Sequence, residues 1–429
     1  MILKLFFLIL LVVFLVISVP VAYGVGLSSF VGMIFNGGIQ WSSFVTSAIG
    51  GINSFTMLAI PLFLLAGKLM NTGGVTHRLF RFAKVLVGWL PGGLGHVNVV
   101  CSVMFAGMSG SAVADAGGLG AIELKAMRDD GYDDDFSCAV TATSSLLGPM
   151  IPPSIPMIIY GTLSGASVGA LFLAGVIPGV LMAVVMMLLV LIYASIRKYP
   201  RAPLPKLRET LSAFKSAILP LLTVVIILVG RFSGFFSATE AAAVAALYAL
   251  LLSMVIYKEI TLRDLKQILL DTVNDTASIG IIIATGALLG SVLVRSMLPQ
   301  RIAEAISGVV TSQWMLLILI NLFLLVVGMF MESTAAMTIL VPILLPIVTA
   351  WGISPVHFGI VFIMNMGIGT LTPPFGILIF VLSKISGLDV ARLVKAYIPW
   401  IGIMAIVLLL ITFIPQLTLA LPMMSDLSV

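Results

Sequence analysis

Charge is scarce in this sequence. Acidic and basic residues make up 9% of its 429 residues, against about a quarter in soluble domains. Apolar residues make up 60%, more than a water-soluble core can absorb. A soluble enzyme, a disordered tail and a disulfide scaffold are therefore excluded for the chain as a whole. Soft metal ligands are few: two cysteines, Cys101 and Cys138, and three histidines, His77, His96 and His357. No Cys-x-x-Cys occurs, so a Cys/His metal site is not expected and both thiols read as buried and inert. The phosphate-cradling Gly-x-x-x-x-Gly-Lys-Ser/Thr loop is missing, and no Gly-x-Ser-x-Gly nucleophile elbow, His-Glu-x-x-His or paired catalytic carboxylates are expected. Neither ATP hydrolysis nor other enzyme chemistry is expected. The net charge of +5 comes from 22 basic residues spread over many loops, which makes no nucleic-acid surface.

What the sequence has in quantity is long apolar runs. A crossing helix takes about 20 residues, so this length admits about 10 to 14 crossings. Runs at about 2–19, 21–35, 54–70, 136–164, 169–196, 216–231, 238–257, 275–294, 355–383 and 398–421 read as spans. Lys4 ahead of an apolar run imitates a signal peptide. No small-residue cleavage site follows, however, and a second run starts at Val21, so a retained first span is expected. Two further runs, 93–122 and 314–349, are interrupted near their middles by Gly107-Met108-Ser109-Gly110-Ser111 and Met331-Glu332-Ser333-Thr334. Each half is short for a crossing, and a polar tip at membrane depth is tolerated only inside protein or a wet cavity. Both read as re-entrant helical hairpins.

The chain repeats itself. Pro152-Pro153 and Pro373-Pro374 lie 221 residues apart, and so do Gly107 and Gly328, and Pro178 and Pro399. The reading is two homologous halves, about 1–200 and 215–429, each with five spans and one hairpin. Five is odd, so the halves face opposite ways, the inverted-repeat plan of secondary transporters. The linker 197–215 is rich in Arg and Lys and is placed in the cytoplasm. Alternation then puts 18 of the 22 basic residues inside and leaves Lys4, Arg231, Arg295 and Arg301 outside, as the positive-inside rule requires. Both termini fall on the periplasmic side. Short amphipathic helices at about 75–88 and 297–309 read as arms lying along the membrane; Val75, Leu79, Phe82 and Leu86 form the apolar face of the first.

The two diprolines carry the chemistry. A proline has no N–H, so the carbonyl four residues earlier loses its helical partner. Pro152 frees Gly148 and Pro153 frees Pro149; Pro373 frees Gly369 and Pro374 frees Thr370. Unpaired carbonyls in a membrane cost several kcal/mol each unless satisfied. Sodium, a hard ion, takes such oxygens together with the hydroxyls of Ser109, Ser111 and Thr372. Past each break the helix restarts, and its N-terminus favours an anion. Substrate is expected among the nearby polar residues Thr141, Thr143, Ser144, Ser145, Glu332, Ser333, Thr334 and Asn365, although hydroxyls pack helices as often as they bind ligands. Glu332 could bind a cation, respond to protonation or cap a helix. Asp115, Glu240 and Asp275 lie within or beside apolar runs and are functional candidates by position. Glu240 reads more as a helix N-terminal acid, and Asp275 as a structural residue near the cytoplasmic interface.

Ile60-Pro61-Leu62-Phe63-Leu64-Leu65-Ala66-Gly67-Lys68-Leu69-Met70, Gly92–Val99, Phe105–Asp115 and Ile151–Pro156 resemble the large membrane subunit of tripartite ATP-independent periplasmic (TRAP) transporters, over essentially the whole chain. The resemblance implies an all-α polytopic fold of the elevator type in a bacterial or archaeal inner membrane. It implies two inverted repeats, each with a helix broken at Pro-Pro. It implies about two sodium sites, one at Ser109, Gly148, Ile151 and Pro152, the other at Gly328, Gly369, Thr372 and Phe375. Phe375 stands where a small or aliphatic residue is usual, so only its backbone could serve. The implied partners are a small four-helix membrane subunit and a periplasmic binding protein. The implied cargo is a small organic anion: a C4-dicarboxylate, a sialic or other sugar acid, a keto acid or a sulfonate. Residues 1–92 and 206–313 are then a scaffold, and 93–196 and 314–421 a moving transport domain. The alternatives are a sodium/carboxylate symporter or exchanger of related inverted-repeat fold that needs no binding protein, a channel, and a lipid-modifying enzyme.

Overall fold

The computed structural model describes residues 2–17, 19–35, 41–232, 235–298, 300–302 and 310–425, and among them it is helical throughout, with no strand. The first half runs through α1 (Ile2–Val16), α2 (Val21–Phe35), α3 (Trp41–Ile52), α4 (Ala59–Thr72), α5 (Val75–Val87), α6 (Gly93–Ser109), α7 (Ala112–Ala114), α8 (Gly120–Asp129), α9 (Asp134–Ser144), α10 (Leu147–Met150), α11 (Ile155–Ser164) and α12 (Val168–Arg197). The second half runs through α13 (Leu207–Phe232), α14 (Ala238–Leu251), α15 (Leu262–Ser296), α16 (Gln313–Gly328), α17 (Ser333–Ala350), α18 (Pro355–Thr370), α19 (Ile377–Ser386), α20 (Val390–Phe413) and α21 (Gln416–Met424).

Among the described residues, seven helices are long and apolar enough to cross a membrane, or eight if the bent pair 134–150 and 155–164 is one span. That is fewer than the ten spans expected. The first two runs fold as 15-residue helices, about 22 Å each at 1.5 Å per residue, and the second diproline splits its run into helices of 16 and 10 residues. Helix α3 is not anticipated, because its serines, threonine and glycines dilute the apolar signal. The expected first arm is present as α5, but its buried face is Val75, Thr76, Leu79, Phe82 and Ala83. Leu86, expected on that face, is 42% exposed, since position 83 already completes the turn after Leu79. The expected second arm, 297–309, falls largely outside the described residues.

Serine, threonine and acidic side chains start nine of these helices by accepting free N–H groups of the first turn. Ser237 with Glu240, and Thr261 with Asp264, form capping boxes. The second box starts α15 thirteen residues before the expected span, which gives it 35 residues. Asp275 therefore lies well inside this helix. In the packing, α2, α3 and α4 lie on α15, and α4 and α13 on α14. A second group joins α6, α9, α10, α12, α18 and α20, with α16 on α18 and α17 on α11. The two groups meet where α4 touches α6 and α15 touches α17.

Candidate functional site

Both interrupted runs turn back at short tips. Gly110, in the left-handed region at φ 60°, reverses the chain between α6 and α7, where a side chain would be strained. A Cβ there would also stand 2.7 Å from the Pro153 carbonyl oxygen, so the first tip lies directly on the first diproline break. The second tip, Met329–Glu332, lies against the second break, with the Phe375 N–H donating to the Met329 carbonyl at 3.2 Å. Glycine allows each contact. A Cβ on Gly148 would meet the Ser111 backbone at 3.0 Å, and a Cβ on Gly369 would stand 2.7 Å from the Gly328 carbonyl oxygen.

The structure thus brings Ser109, Ser111, Gly148, Ile151 and Pro152 into one group and Gly328, Gly369, Thr372 and Phe375 into another. Ser109 is 7% exposed, and its hydroxyl has no hydrogen-bond partner among the described residues. A buried hydroxyl in that condition fits an oxygen-seeking ligand. Two carbonyls expected to be bare are engaged. The Ser154 hydroxyl donates to the Pro149 carbonyl at 2.6 Å, replacing the N–H that Pro153 lacks. The Thr372 N–H donates to the Gly369 carbonyl at 3.0 Å, because a tightened turn needs no donor from residue 373. Each carbonyl keeps a second lone pair. The Thr372 hydroxyl itself donates to the Ile368 carbonyl at 2.8 Å, and it too can still accept or coordinate through its oxygen.

A cavity of about 300 Å³ opens where both tips and both breaks converge. The first tip supplies Gly110 and Ser111, the second Glu332, Ser333 and Thr334; Pro149, Ile155, Thr370 and Ile377 come from the breaks, and Asp275 from α15. Glu332 caps α17 through the N–H groups of Thr334 and Ala335, at 2.8 and 3.2 Å. The other expected substrate residues do not line this cavity. Asn98 Nδ2 donates to the Thr141 hydroxyl at 2.7 Å, and the Ser144 hydroxyl donates to Asn98 Oδ1 at 2.7 Å. Thr143 and Ser145 donate to the carbonyls of Ala139 and Ala142. Asn365 Nδ2 donates to Asn321 Oδ1 at 2.8 Å. The bonds of Asn98 and Asn321 hold each hairpin to its broken helix, while those of Thr143 and Ser145 stay within their own helix.

Sequence reasoning missed Glu123, which is buried with Asp115 in the return limb of the first hairpin. No hydrogen bond of good geometry reaches either carboxylate among the described residues; Ser102 is the polar group beside Asp115. It also missed the pairing of Lys68 with Asp275 at 2.6 Å. In the loop that follows the same hairpin the Tyr199 hydroxyl and Arg197 hold the Asp133 carboxyl below its usual range. One nucleophile-elbow pattern does occur, Gly165-Ala166-Ser167-Val168-Gly169, but Ser167 is the N-cap of α12 and no strand precedes it.

Crossing helices, interrupted helices and a cavity at their meeting point define a polytopic membrane transporter. The chain belongs to the family described as Tripartite ATP-independent periplasmic transporter, DctM component, whose family model matches residues 8–417. It is a large permease subunit of that family, not an enzyme. It is 44% identical over 374 residues to the sialic acid TRAP transporter large permease protein SiaM of Vibrio cholerae, covering 87% of this chain and 88% of that protein. It is 38% identical over 368 residues to the C4-dicarboxylate TRAP transporter large permease protein DctM of Pseudomonas aeruginosa, covering 86% of each. Its fold is similar to the YdaH transporter of Alcanivorax borkumensis, with a TM-score of 0.65, 13% identity and coverage of 94% of this chain and 97% of that one.

Proposed function

We propose that this permease imports a small organic anion, driven by sodium, with an elevator movement. The cargo class is a C4-dicarboxylate, a sialic or other sugar acid, a keto acid or a sulfonate, handed over by a periplasmic binding protein. A small four-helix subunit stands beside the scaffold. The observation that carries this reading is the cavity shared by both tips and both breaks. A cation organised by the tips completes a chamber into which an anion fits.

Two sodium ions would use Ser109, Ser111, Gly148, Ile151 and Pro152 on one side, and Gly328, Gly369, Thr372 and Phe375 on the other. The unpartnered Ser109 hydroxyl supports the first set. The two halves are inverted repeats in this reading. Ser144 and Asn365, 221 residues apart, both bond an asparagine on the adjacent hairpin, which supports the duplication. The helices of 1–92 and 206–313 form the scaffold, those of 93–196 and 314–421 move, and both termini face the periplasm. Coupling follows if the sodium-free form binds the anion poorly.

The test uses the full transporter in proteoliposomes with its loaded binding protein outside. Uptake is expected under an inward sodium gradient and is expected to fall to background when potassium replaces sodium. Uptake that persists in potassium refutes sodium coupling, and uptake that persists without the binding protein refutes the three-part reading.

A further inference from the structure

Among the described residues that line the central cavity, no side chain offers an anion a positive charge. The ionisable side chains that line it, Asp275 and Glu332, are both acids. Glu332 is held by the N–H groups of α17. Asp275 is held by Lys68, whose Nζ stands 2.6 Å from its Oδ2. A second cavity of about 260 Å³ adjoins the first and shares Leu64, Ser111, Val113 and Asp275 with it, while adding Lys68 and Ser109. Among the described residues lining either cavity, Lys68 is the only basic one.

The ion pair is built to be exchanged. Its side chains are 27% and 52% exposed, so neither partner is sealed inside the protein. It joins α4 to α15, two helices of one packing group, while the tip hydroxyls of Ser109 and Ser111 belong to the other. Helix α4 rides on that tip: a Cβ on Gly67 would stand 3.2 Å from the Met108 carbonyl oxygen.

We propose that Lys68 receives the anionic group of the cargo, and that Asp275 occupies Lys68 until the cargo arrives. This deepens the anion-import reading and rests on it. The exchange swaps one carboxylate for another on the same ammonium, so Lys68 is never left without a counter-charge, and Asp275 turns toward water. The ammonium is a compact point charge with three donors, so it accepts a carboxylate or a sulfonate alike. The arrangement also places a bound anion beside Ser109 and Ser111. There a sodium ion and the anion attract one another at short range, and each strengthens the binding of the other.

The test uses release from proteoliposomes holding the complete transporter. Vesicles are preloaded with graded concentrations of N-acetylneuraminate, succinate, 2-oxobutyrate or isethionate, with an outward sodium gradient and excess unloaded binding protein outside. An internal anion reaches the cavity unaided, so its half-saturating concentration reports the permease site. Lys68→Gln is expected to raise that concentration at least about tenfold with maximal rate within about twofold, while Lys68→Arg stays near wild type. Asp275→Asn is expected to lower it by a few-fold, because Lys68 loses its stand-in. The double variant carries no unpaired charge and is expected to behave as Lys68→Gln does. An unchanged value in Lys68→Gln overturns the proposal. So does an equal loss in both single variants that the double variant restores, which is the mark of a purely structural pair. In either case wild-type transport still stands. Wild type that moves none of the four anions in either direction removes the import reading itself, and this inference with it.

Discussion

The same diproline device ends up sealed to different degrees in the two halves. The first break takes four residues, 151–154, and the second takes six, 371–376. Pro152, Pro153 and Ser154 are buried, whereas Pro374 and Phe375 are exposed. The first break is closed by its own side chain, the Ser154 hydroxyl on the Pro149 carbonyl at 2.6 Å. The second is closed by a backbone turn, and its Phe375 ring, 61% exposed, meets the Phe330 ring across 6.1 Å. Both peptide bonds between the paired prolines are cis, so the backbone isomer is not what differs. Surroundings are what differ. A break packed on all sides opens only with much of its neighbourhood, while one with exposed residues has fewer contacts to lose.

The glycines put this contrast under the most stress. A methyl on Gly369 would push into the Gly328 backbone, 2.7 Å from its oxygen, and backbone cannot step aside as a side chain can. A methyl on Gly148 would meet Ser111 at 3.0 Å. Overpacking of this kind costs about 1–3 kcal/mol and displaces the backbone. Gly369→Ala is expected to abolish sodium-driven uptake, with Gly148→Ala keeping a measurable fraction. Equal loss in the two would mean that tip and break are equally tight in both halves. Uptake per molecule of membrane-inserted protein is the measurement.

Ser109 sharpens the comparison at the ion. Its hydroxyl is buried without a partner, and the second group offers no counterpart, since the Thr372 hydroxyl already serves Ile368. Ser109→Ala is expected to raise the sodium concentration for half-maximal uptake by about tenfold, about 1.4 kcal/mol, with no loss of melting temperature in sodium-free buffer, because no internal hydrogen bond disappears. Thr372→Val is expected to shift it less. The reverse order would make the second group the dominant sodium site.

Much of this site was legible in the sequence because its parts are local. A proline withholds its N–H wherever it sits, and a glycine-serine tip inside an apolar run has few structural explanations. Asp275 shows where such reading stops. It reads as a structural residue at the end of an apolar run, and α15 continues through it. Lys68, distant in sequence, neutralises its charge, and the Thr261–Asp264 capping box had already set the start of the helix. The clusters around Asn98 and Asn321 were hidden for the same reason: contacts between remote helices leave no periodic trace. The hydroxyls of Thr141 and Ser144 and the amide of Asn98 look alike in a sequence whether they face a ligand or each other.

The smallest effect separates sealing from function. Ser154 does two tasks: its hydroxyl donates to Pro149 and its oxygen accepts from the Met157 N–H at 3.3 Å, the N-cap of α11. Losing an N-cap costs about 1 kcal/mol, and the Pro149 carbonyl would lose its hydroxyl partner in a dry setting as well. Thr372→Val leaves the second turn with its backbone bond from Thr372 to Gly369, so it loses only one side-chain bond. Ser154→Ala is therefore expected to lower the melting temperature of the purified protein by a few degrees, and Thr372→Val by less. A larger drop in Thr372→Val would mean that the second break is held by its hydroxyl and not by its turn, and the contrast between the two halves would then lie in exposure alone.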